Sequence, residues 1–216
     1  MRNGTKAVIF DFDQVIIKSY EDHANAIMII GKKFRIKIKK SEIYKRFGIS
    51  AKEILRQVAP ELPEKNVKKF LNEKEELYRK MIKKSGVSLV PGVKEVLNYL
   101  KNKNIKLAIA SSASIVNINI ALKKTKIKKY FPVVVAGEHT KRHKPYPDPL
   151  LKATKKLKVH PKNCIYIGDS IYEMIAAKRA RMLPVGLLTG IYSEKDLRKN
   201  GAKFVIKNLA EMKKIT

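Results

Sequence analysis

Polar residues suited to phosphorus or metal chemistry follow short apolar runs in this 216-residue chain. Asp11 and Asp13 come directly after the first run, Lys6–Phe10, and side chains at i and i+2 of an extended chain project to the same side. Carboxylates held this close raise each other's pKa unless a divalent cation neutralises them. The pair therefore predicts a metal-assisted site just beyond a strand.

Further side chains of this kind follow later apolar runs. Ser111 and Ser112 come after one run, Lys144 lies beyond the next, and Asp169 with Glu173 follows another. Ligands of open parallel sheets bind beyond the carboxyl ends of the strands, so we expect these groups to converge. Carboxylates, hydroxyls and one ammonium suit phosphoryl transfer, and an all-oxygen site with room for water and phosphate suits Mg²⁺.

Two carboxylates two residues apart are sufficient for a two-step displacement. One can attack phosphorus and form an acyl phosphate, which divides one difficult step into two easier ones. The other can protonate the leaving oxygen and then accept a proton from the hydrolytic water. The pattern allows transfer of a phosphoryl group to an aspartate and then to water.

The apolar runs that carry these residues predict an α/β fold. They are rich in residues that favour strands, and each lies next to a stretch with helical periodicity. Buried strands that alternate with helices are typical of a parallel sheet covered on both faces. The five runs are Lys6–Phe10, Ile105–Ala110, Val133–Ala136, Cys164–Ile167 and Leu183–Leu188.

Residues 20–84 interrupt this alternation with helical patterns only. Ser50 and Glu53 have the spacing of a capping box, which predicts the start of one of these helices. We expect a sheet domain made of residues 1–16 and 88–216, with a helical domain of residues 17–87 inserted into it. The predicted helices are 22–34, 41–47, 51–58 and 63–83.

Four ordered segments of the chain resemble motifs one to four of the haloacid dehalogenase superfamily. They are FDFDQV at 10–15, ASS at 110–112, KP at 144–145 and GDSIYE at 168–173. The helical insertion after the first motif resembles the cap of the phosphoglycolate phosphatase and β-phosphoglucomutase branch. The resemblance spans essentially the whole chain and implies a three-layer, Rossmann-like parallel sheet with an inserted helical-bundle cap.

The resemblance also implies roles for the acidic residues. Asp11 would be the nucleophile and a Mg²⁺ ligand. Asp13 would be the general acid and base and would offer its backbone carbonyl to the metal. Asp169 would complete the metal site, with Glu173 as a further candidate ligand. True dehalogenases of the superfamily lack the second aspartate and need no metal, so Asp13 favours a phosphatase.

Four other residues are expected to bind phosphate or substrate. By resemblance, Ser111 would hydrogen-bond the phosphoryl oxygens, with Ser112 as a further candidate. Lys144 would bind the phosphoryl group and hold the nucleophile in place. His23 occupies a position where many members of the branch carry a cap histidine near the substrate, although an ordinary histidine in a first helical turn is an equal alternative.

Two residues depart from the usual pattern of the family. Gln14 replaces the glycine that commonly follows the second aspartate, where the chain turns toward the cap. Glu173 stands where an aspartate is common, and it would reach the metal through water or orient Lys144. By the resemblance, Gln14 would affect cap motion and substrate choice.

The sequence therefore predicts a Mg²⁺-dependent phosphatase of small phosphorylated metabolites. Phosphoglycolate-like compounds, pyrophosphate, sugar phosphates and nucleotide monophosphates all remain open as substrates. One alternative is a β-phosphoglucomutase-like phosphotransferase, which shares the same chemistry. A second alternative, a polyanion or nucleic-acid binder on the same fold, is suggested by the charge of the chain and by the two departures from the family pattern.

That charge is strongly positive, with 48 Lys and Arg against 19 Asp and Glu and a formal net charge of +29. Lysine predominates over arginine, which is the residue preferred for bidentate recognition of phosphates and bases, so we expect no specific nucleic-acid partner. The single cysteine, Cys164, excludes an intramolecular disulfide. No export signal or apolar run of membrane-spanning length is evident, so we expect a cytoplasmic protein with no membrane partner.

Overall fold

The computed structural model describes residues 4–47 and 49–216. The strands are β1 (Ala7–Phe10), β2 (Lys106–Ala110), β3 (Val133–Val135), β4 (Cys164–Gly168), β5 (Leu183–Leu187) and β6 (Phe204–Ile206). The α-helices are α1 (Tyr20–Lys33), α2 (Lys40–Tyr44), α3 (Ala51–Val58), α4 (Glu64–Ser85), α5 (Val93–Asn102), α6 (Ile115–Lys124), α7 (Asp148–Leu157), α8 (Ile171–Arg179) and α9 (Glu194–Lys199). Among these residues no helix combines the length and apolar character needed to cross a membrane.

The six strands form one parallel sheet in the order β3-β2-β1-β4-β5-β6. β1 lies between β2 and β4, and Phe10 at its end is in register with Ile109 and Ile167. The residues that follow these three strands therefore emerge side by side at one edge of the sheet. The expected α/β fold with a parallel sheet is confirmed.

The central strands are apolar because helices cover both of their faces. All four residues of β1 are fully buried, and all five residues of β4 and of β5 are buried. Burial of a side chain such as Ile9 contributes about 1.5–3 kcal/mol to folding. Small residues such as Ala108 and Ala176 lie in the same core cluster and allow helices to approach the sheet closely.

β6 is a strand that the sequence pattern did not predict. It has three residues, and Phe204 at its start is 45% exposed while Ile206 at its end is buried. Within the described residues it pairs with β5 alone, at the edge of the sheet. A short edge strand buries too few side chains to produce the continuous apolar run that marks the central strands.

Residues up to Lys18 and Ser88–Thr216 form one compact unit, and Ser19–Val87 form another. The second unit contains α1 to α4. Its own core includes Tyr20, Phe47 and Phe70. The predicted capping box starts α3: the Ser50 hydroxyl accepts the Glu53 N–H at 3.2 Å, and Glu53 accepts the Ser50 N–H at 2.8 Å. The helical character expected of this insertion is confirmed.

Gln14 lies in the left-handed region of the backbone map, with φ of 57°. Its N–H donates to the Ile17 carbonyl at 2.7 Å, and its own carbonyl accepts the Thr189 hydroxyl at 2.5 Å. Glycine adopts this conformation without the steric cost that a side chain brings. The glycine expected here from the family resemblance would fit this geometry, and the two hydrogen bonds help to hold Gln14 there.

Candidate active site

Strand ends position the first acidic residues of the site. Asp11 follows β1, and its N–H donates to the Ile167 carbonyl of β4 at 2.8 Å, which continues the ladder between the two strands. Asp169 follows β4 directly. Both residues are buried, with relative exposures of 4% and 2%. The sheet thus brings together two carboxylates that are 158 positions apart in the sequence.

The buried ammonium of Lys144 contacts carboxylates that follow two of these strands. Its Nζ donates to Asp11 Oδ1 at 2.6 Å and to Glu173 Oε1 at 2.5 Å. The side chains of Lys144, Asp11 and Glu173 are 8%, 6% and 5% exposed, respectively. Little water can compete for these contacts, so the lysine fixes the position of the Asp11 carboxylate.

Glu173 is held at the start of α8 by the backbone. Its Oε2 accepts the N–H groups of Asp169 at 2.8 Å and Ser170 at 3.2 Å, while Oε1 accepts from Lys144. A Cβ at Gly168 would come within 2.2 Å of the same Oε2, so the glycine before Asp169 leaves room for this arrangement. These contacts support the orienting role of Glu173, and its role as a metal ligand stays a prediction.

Asp11, Asp169 and Glu173 form a buried acidic group, with one ligand atom of each within 4.8 Å of the others. Burial raises the pKa of Asp11 well above its ordinary value, Glu173 raises it further, and Lys144 offsets only part of this effect. Burial opposes the charge on Lys144, but the attraction of Asp11 and Glu173 outweighs it and raises the pKa of the lysine. Three carboxylates and one ammonium leave an excess of negative charge, which fits a divalent cation.

The remaining residues predicted from the strand ends differ in their surroundings. Asp13 is half-buried and lies outside this acidic group. Ser111 is buried after β2, where its N–H donates to Val135 and its hydroxyl accepts the Ala113 N–H at 3.2 Å. Ser112 is exposed. Their catalytic and phosphate-binding roles stay predictions.

Ser111 is not the N-cap of the helix that follows it. Ser114 caps α6 instead, and its hydroxyl accepts the Asn117 N–H at 3.3 Å. Ser111 therefore lies in the segment between β2 and the helix. Its hydroxyl is not needed to start α6.

His23 lies in the first turn of α1, within the helical unit. Its ring stacks on Tyr78 with centroids 4.0 Å apart, and its Nδ1 is 2.9 Å from Nζ of the buried Lys74. Because an ammonium can only donate, Nδ1 of His23 accepts this hydrogen bond. These contacts orient the ring inside the helical unit, and its role toward a substrate stays a prediction.

Two residues next to the site were missed by the sequence interpretation. Tyr166 is fully buried in β4, and its hydroxyl lies 3.4 Å from Lys144 Nζ. Gly190 follows β5, and a Cβ there would come within 2.1 Å of Asp169 Oδ2. Gly190 could have been predicted, because polar or small residues that follow strands often line a site. Tyr166 could not, because in the sequence it resembles an ordinary core residue of a buried strand.

The same residues lie within a segment that matches a known family. The model for haloacid dehalogenase-like hydrolases covers residues 8–186, from β1 into β5. The chain belongs to the haloacid dehalogenase-like hydrolases. The resemblance carried by the four motifs is confirmed, and so is the expectation of a hydrolase.

Full-length relatives of this haloacid dehalogenase-like hydrolase carry names from phosphate chemistry. A Caldanaerobacter subterraneus protein named as pyrophosphatase PpaX is 30% identical to this chain. The alignment covers 97% of this chain and 93% of that protein. A phosphorylated carbohydrates phosphatase of Thermotoga maritima is 29% identical, with 94% of each chain covered. The β-phosphoglucomutase structure from Clostridium difficile superposes with a TM-score of 0.83 at 27% identity, covering 96% of this chain and 92% of that one.

We predict that Asp11→Asn stabilises the metal-free protein. In the wild type the Lys144 ammonium contacts two buried carboxylates, those of Asp11 and Glu173. Removing the charge of Asp11 leaves Lys144 paired with Glu173 alone. Because the folded state holds the Asp11 proton more tightly than the unfolded chain, wild-type stability falls as the pH rises from the ordinary carboxyl pKa toward the raised one. The variant should gain about 0.5–2 kcal/mol at about pH 8 and less at about pH 5, measured by urea denaturation in EDTA.

Glu61→Gln is the matched control for this comparison, because it removes the same formal charge at an exposed position. It should change the free energy of unfolding by less than about 0.5 kcal/mol at either pH. A variant Asp11→Asn that is no more stable than the wild type at both pH values would contradict the repulsion described for this site.

Proposed function

We propose that this protein is a Mg²⁺-dependent phosphatase that hydrolyses small phosphorylated metabolites through an aspartyl-phosphate intermediate. The observation that carries the proposal is the buried ammonium of Lys144, which contacts both Asp11 and Glu173 beside Asp169. A nucleophilic carboxylate and a cation able to contact a phosphoryl group are thereby fixed at one edge of the sheet. The phosphatase names of the two full-length relatives support the same chemistry.

In the first step an oxygen of Asp11 attacks the phosphorus of the substrate. A bond forms between that oxygen and phosphorus while the ester bond to the leaving group breaks. Asp13, two residues along the chain, donates a proton to the leaving oxygen, which departs as a hydroxyl group. Lys144 holds Asp11 in position and places positive charge where the transferring group is negative.

In the second step water attacks the phosphorus of the acyl phosphate. Asp13, now ionised, accepts a proton from that water, and the bond between phosphorus and Asp11 breaks. Inorganic phosphate leaves, the Asp11 carboxylate is regenerated and Asp13 is protonated again. The Ser111 hydroxyl, buried at the end of β2, is proposed to hydrogen-bond the phosphoryl oxygens through both steps.

Asp11 and Asp169 would hold the Mg²⁺ ion, with the Asp13 carbonyl as a further ligand. The ion would supply positive charge that lets carboxylates and phosphate oxygens lie close together. The excess negative charge of the buried acidic group and the raised pKa of Asp11 support this assignment. Glu173 would act mainly by orienting Lys144, since Lys144 and two backbone N–H groups already use its oxygens.

The substrate is proposed to be a small phosphorylated metabolite. The names of similar proteins, which include phosphoglycolate phosphatases, support phosphoglycolate, pyrophosphate and sugar phosphates as candidate substrates. A surface with an excess of lysine attracts anions of any kind, so it steers such substrates without selecting among them. The cytoplasmic location and the lack of a specific nucleic-acid partner stay predictions.

We predict that Asp11→Asn abolishes hydrolysis of p-nitrophenyl phosphate in the presence of Mg²⁺. An amide cannot form the acyl phosphate at a useful rate, so kcat should fall by about a thousandfold or more. The wild-type activity should also disappear in EDTA and return with Mg²⁺. Release of p-nitrophenol, followed at constant ionic strength, measures both effects.

Glu194→Gln provides the control for this experiment, because it changes an exposed carboxylate of α9 in the same compact unit. Its kcat should stay within about twofold of the wild type, which matches a surface substitution. Near-normal turnover by Asp11→Asn, with both variants folded, would rule out the proposed nucleophile.

A β-phosphoglucomutase-like phosphotransferase is the second candidate, favoured by the likeness to the Clostridium difficile structure. It uses the same aspartyl phosphate but returns the phosphoryl group to a sugar hydroxyl instead of to water. We predict that incubation with glucose 1-phosphate releases glucose and inorganic phosphate. Phosphorus NMR of the products separates the two functions, and accumulation of an isomeric sugar phosphate would favour the mutase.

A further inference from the structure

Tyr166 belongs to an apolar core cluster but carries a hydroxyl group. It lies midway along β4, is fully buried and belongs to a cluster with small residues such as Ala108 and Ala176. Burying a hydroxyl group is costly unless it forms hydrogen bonds, and phenylalanine would fill nearly the same space without that cost. The contacts of this hydroxyl therefore point to its role.

The Tyr166 hydroxyl makes contacts toward two other elements. It donates to the Ala110 carbonyl at 3.1 Å and lies 3.4 Å from Lys144 Nζ. A carbonyl can only accept, so the hydroxyl hydrogen points to Ala110 and the oxygen lone pairs are available to the ammonium. The side chain spans from β4 past β1 to the end of β2, immediately before Ser111.

Lys144 has one oxygen for each of its three ammonium hydrogens. The carboxylates of Asp11 and Glu173 lie at 2.6 and 2.5 Å, and the longer contact, at 3.4 Å, is to Tyr166. Three acceptors can take one hydrogen each, whereas the two carboxylates alone would leave one hydrogen of this buried ammonium without an acceptor among the described contacts. Tyr166 completes this set.

The Tyr166 contact would gain importance as the reaction proceeds. When Asp11 forms a bond to phosphorus, its carboxylate no longer carries a full charge, and the attraction between Asp11 and Lys144 weakens. Glu173 and Tyr166 take no part in bond making and keep their positions. They would hold the ammonium next to the transferred phosphoryl group until water releases it.

We propose that Tyr166 is a positioning residue, which orients the Lys144 ammonium and ties it to the backbone that leads into Ser111. The catalytic part of this inference rests on the proposed phosphatase function. The orientation of Lys144 can be tested without turnover, since it concerns contacts within the protein itself. The phosphatase function and the orientation of Lys144 by Tyr166 can therefore be refuted independently of each other.

The test compares Tyr166→Phe with the wild type by kinetics and by NMR of isotopically labelled lysine side chains. The Lys144 Nζ resonance is assigned by its loss in Lys144→Arg. In Tyr166→Phe we expect this resonance to shift and its hydrogens to exchange faster. With p-nitrophenyl phosphate and Mg²⁺, we expect kcat to fall about tenfold, as for loss of a hydrogen bond to a charged group, while KM changes by less than about twofold.

Cys164→Ala is the control, because Cys164 lies on the same strand and in the same core cluster but has no contact with Lys144 among the described hydrogen bonds. It should lower stability yet leave both kcat and the Lys144 resonance unchanged. An equal loss of kcat in Cys164→Ala would assign the effect to packing and overturn the proposal.

An unmoved Lys144 resonance in Tyr166→Phe would overturn the proposed orientation whatever the kinetics show. A shifted resonance with wild-type kcat would overturn its importance for the reaction. If the wild type hydrolyses no phosphate ester while the resonance shifts, the phosphatase function fails and the orienting role of Tyr166 is supported.

Discussion

The contact between Lys144 and two buried carboxylates is the interaction on which the site depends. Ions lose much of their hydration when they are buried, and only close, well-oriented partners compensate for that loss. The parallel sheet supplies the orientation: β1 fixes Asp11, β4 leads into Asp169, and the first turn of α8 fixes Glu173. Loss of Lys144 would leave both carboxylates buried without their cation, and breaking a buried ion pair in this way typically costs about 3–5 kcal/mol, so the fold and the site are not independent.

The same contact leaves the site electrostatically incomplete. Lys144 balances one of the clustered carboxylates, and the pKa of Asp11 stays raised because burial and Glu173 outweigh the lysine. A protein selected only for stability would replace one of these carboxylates with a neutral or apolar side chain. The excess negative charge is understandable if a divalent cation completes the site, because the cation would neutralise the carboxylates and allow a negatively charged phosphoryl group to lie beside them.

Much of this arrangement could be predicted from the sequence. Asp11 and Asp169 could be predicted from residue types placed directly after apolar runs, since parallel strands bring their carboxyl ends to one edge. Lys144, one of many lysines, was singled out by its place before Pro145 in a segment that resembles a family motif. The sequence places Glu173 near the site. Whether Glu173 binds the metal or orients Lys144 depends on its hydrogen bonds to backbone N–H groups, which residue spacing does not reveal. Tyr166 was missed because the strand pattern predicts that the residue is buried but does not show which groups its hydroxyl contacts. β6 was missed because its burial is too small to leave a pattern.

The most direct test of the account is to identify the residue that carries the phosphoryl group during turnover. The wild-type protein, mixed with p-nitrophenyl phosphate and Mg²⁺ and quenched within one turnover, can be treated with borohydride, which reduces an acyl phosphate to an alcohol. Mass spectrometry of the peptides should then find homoserine in place of Asp11 and an unchanged residue at Asp13. Reduction at another carboxylate, or rapid hydrolysis with no modified residue in repeated quenches, would contradict an aspartyl phosphate on Asp11.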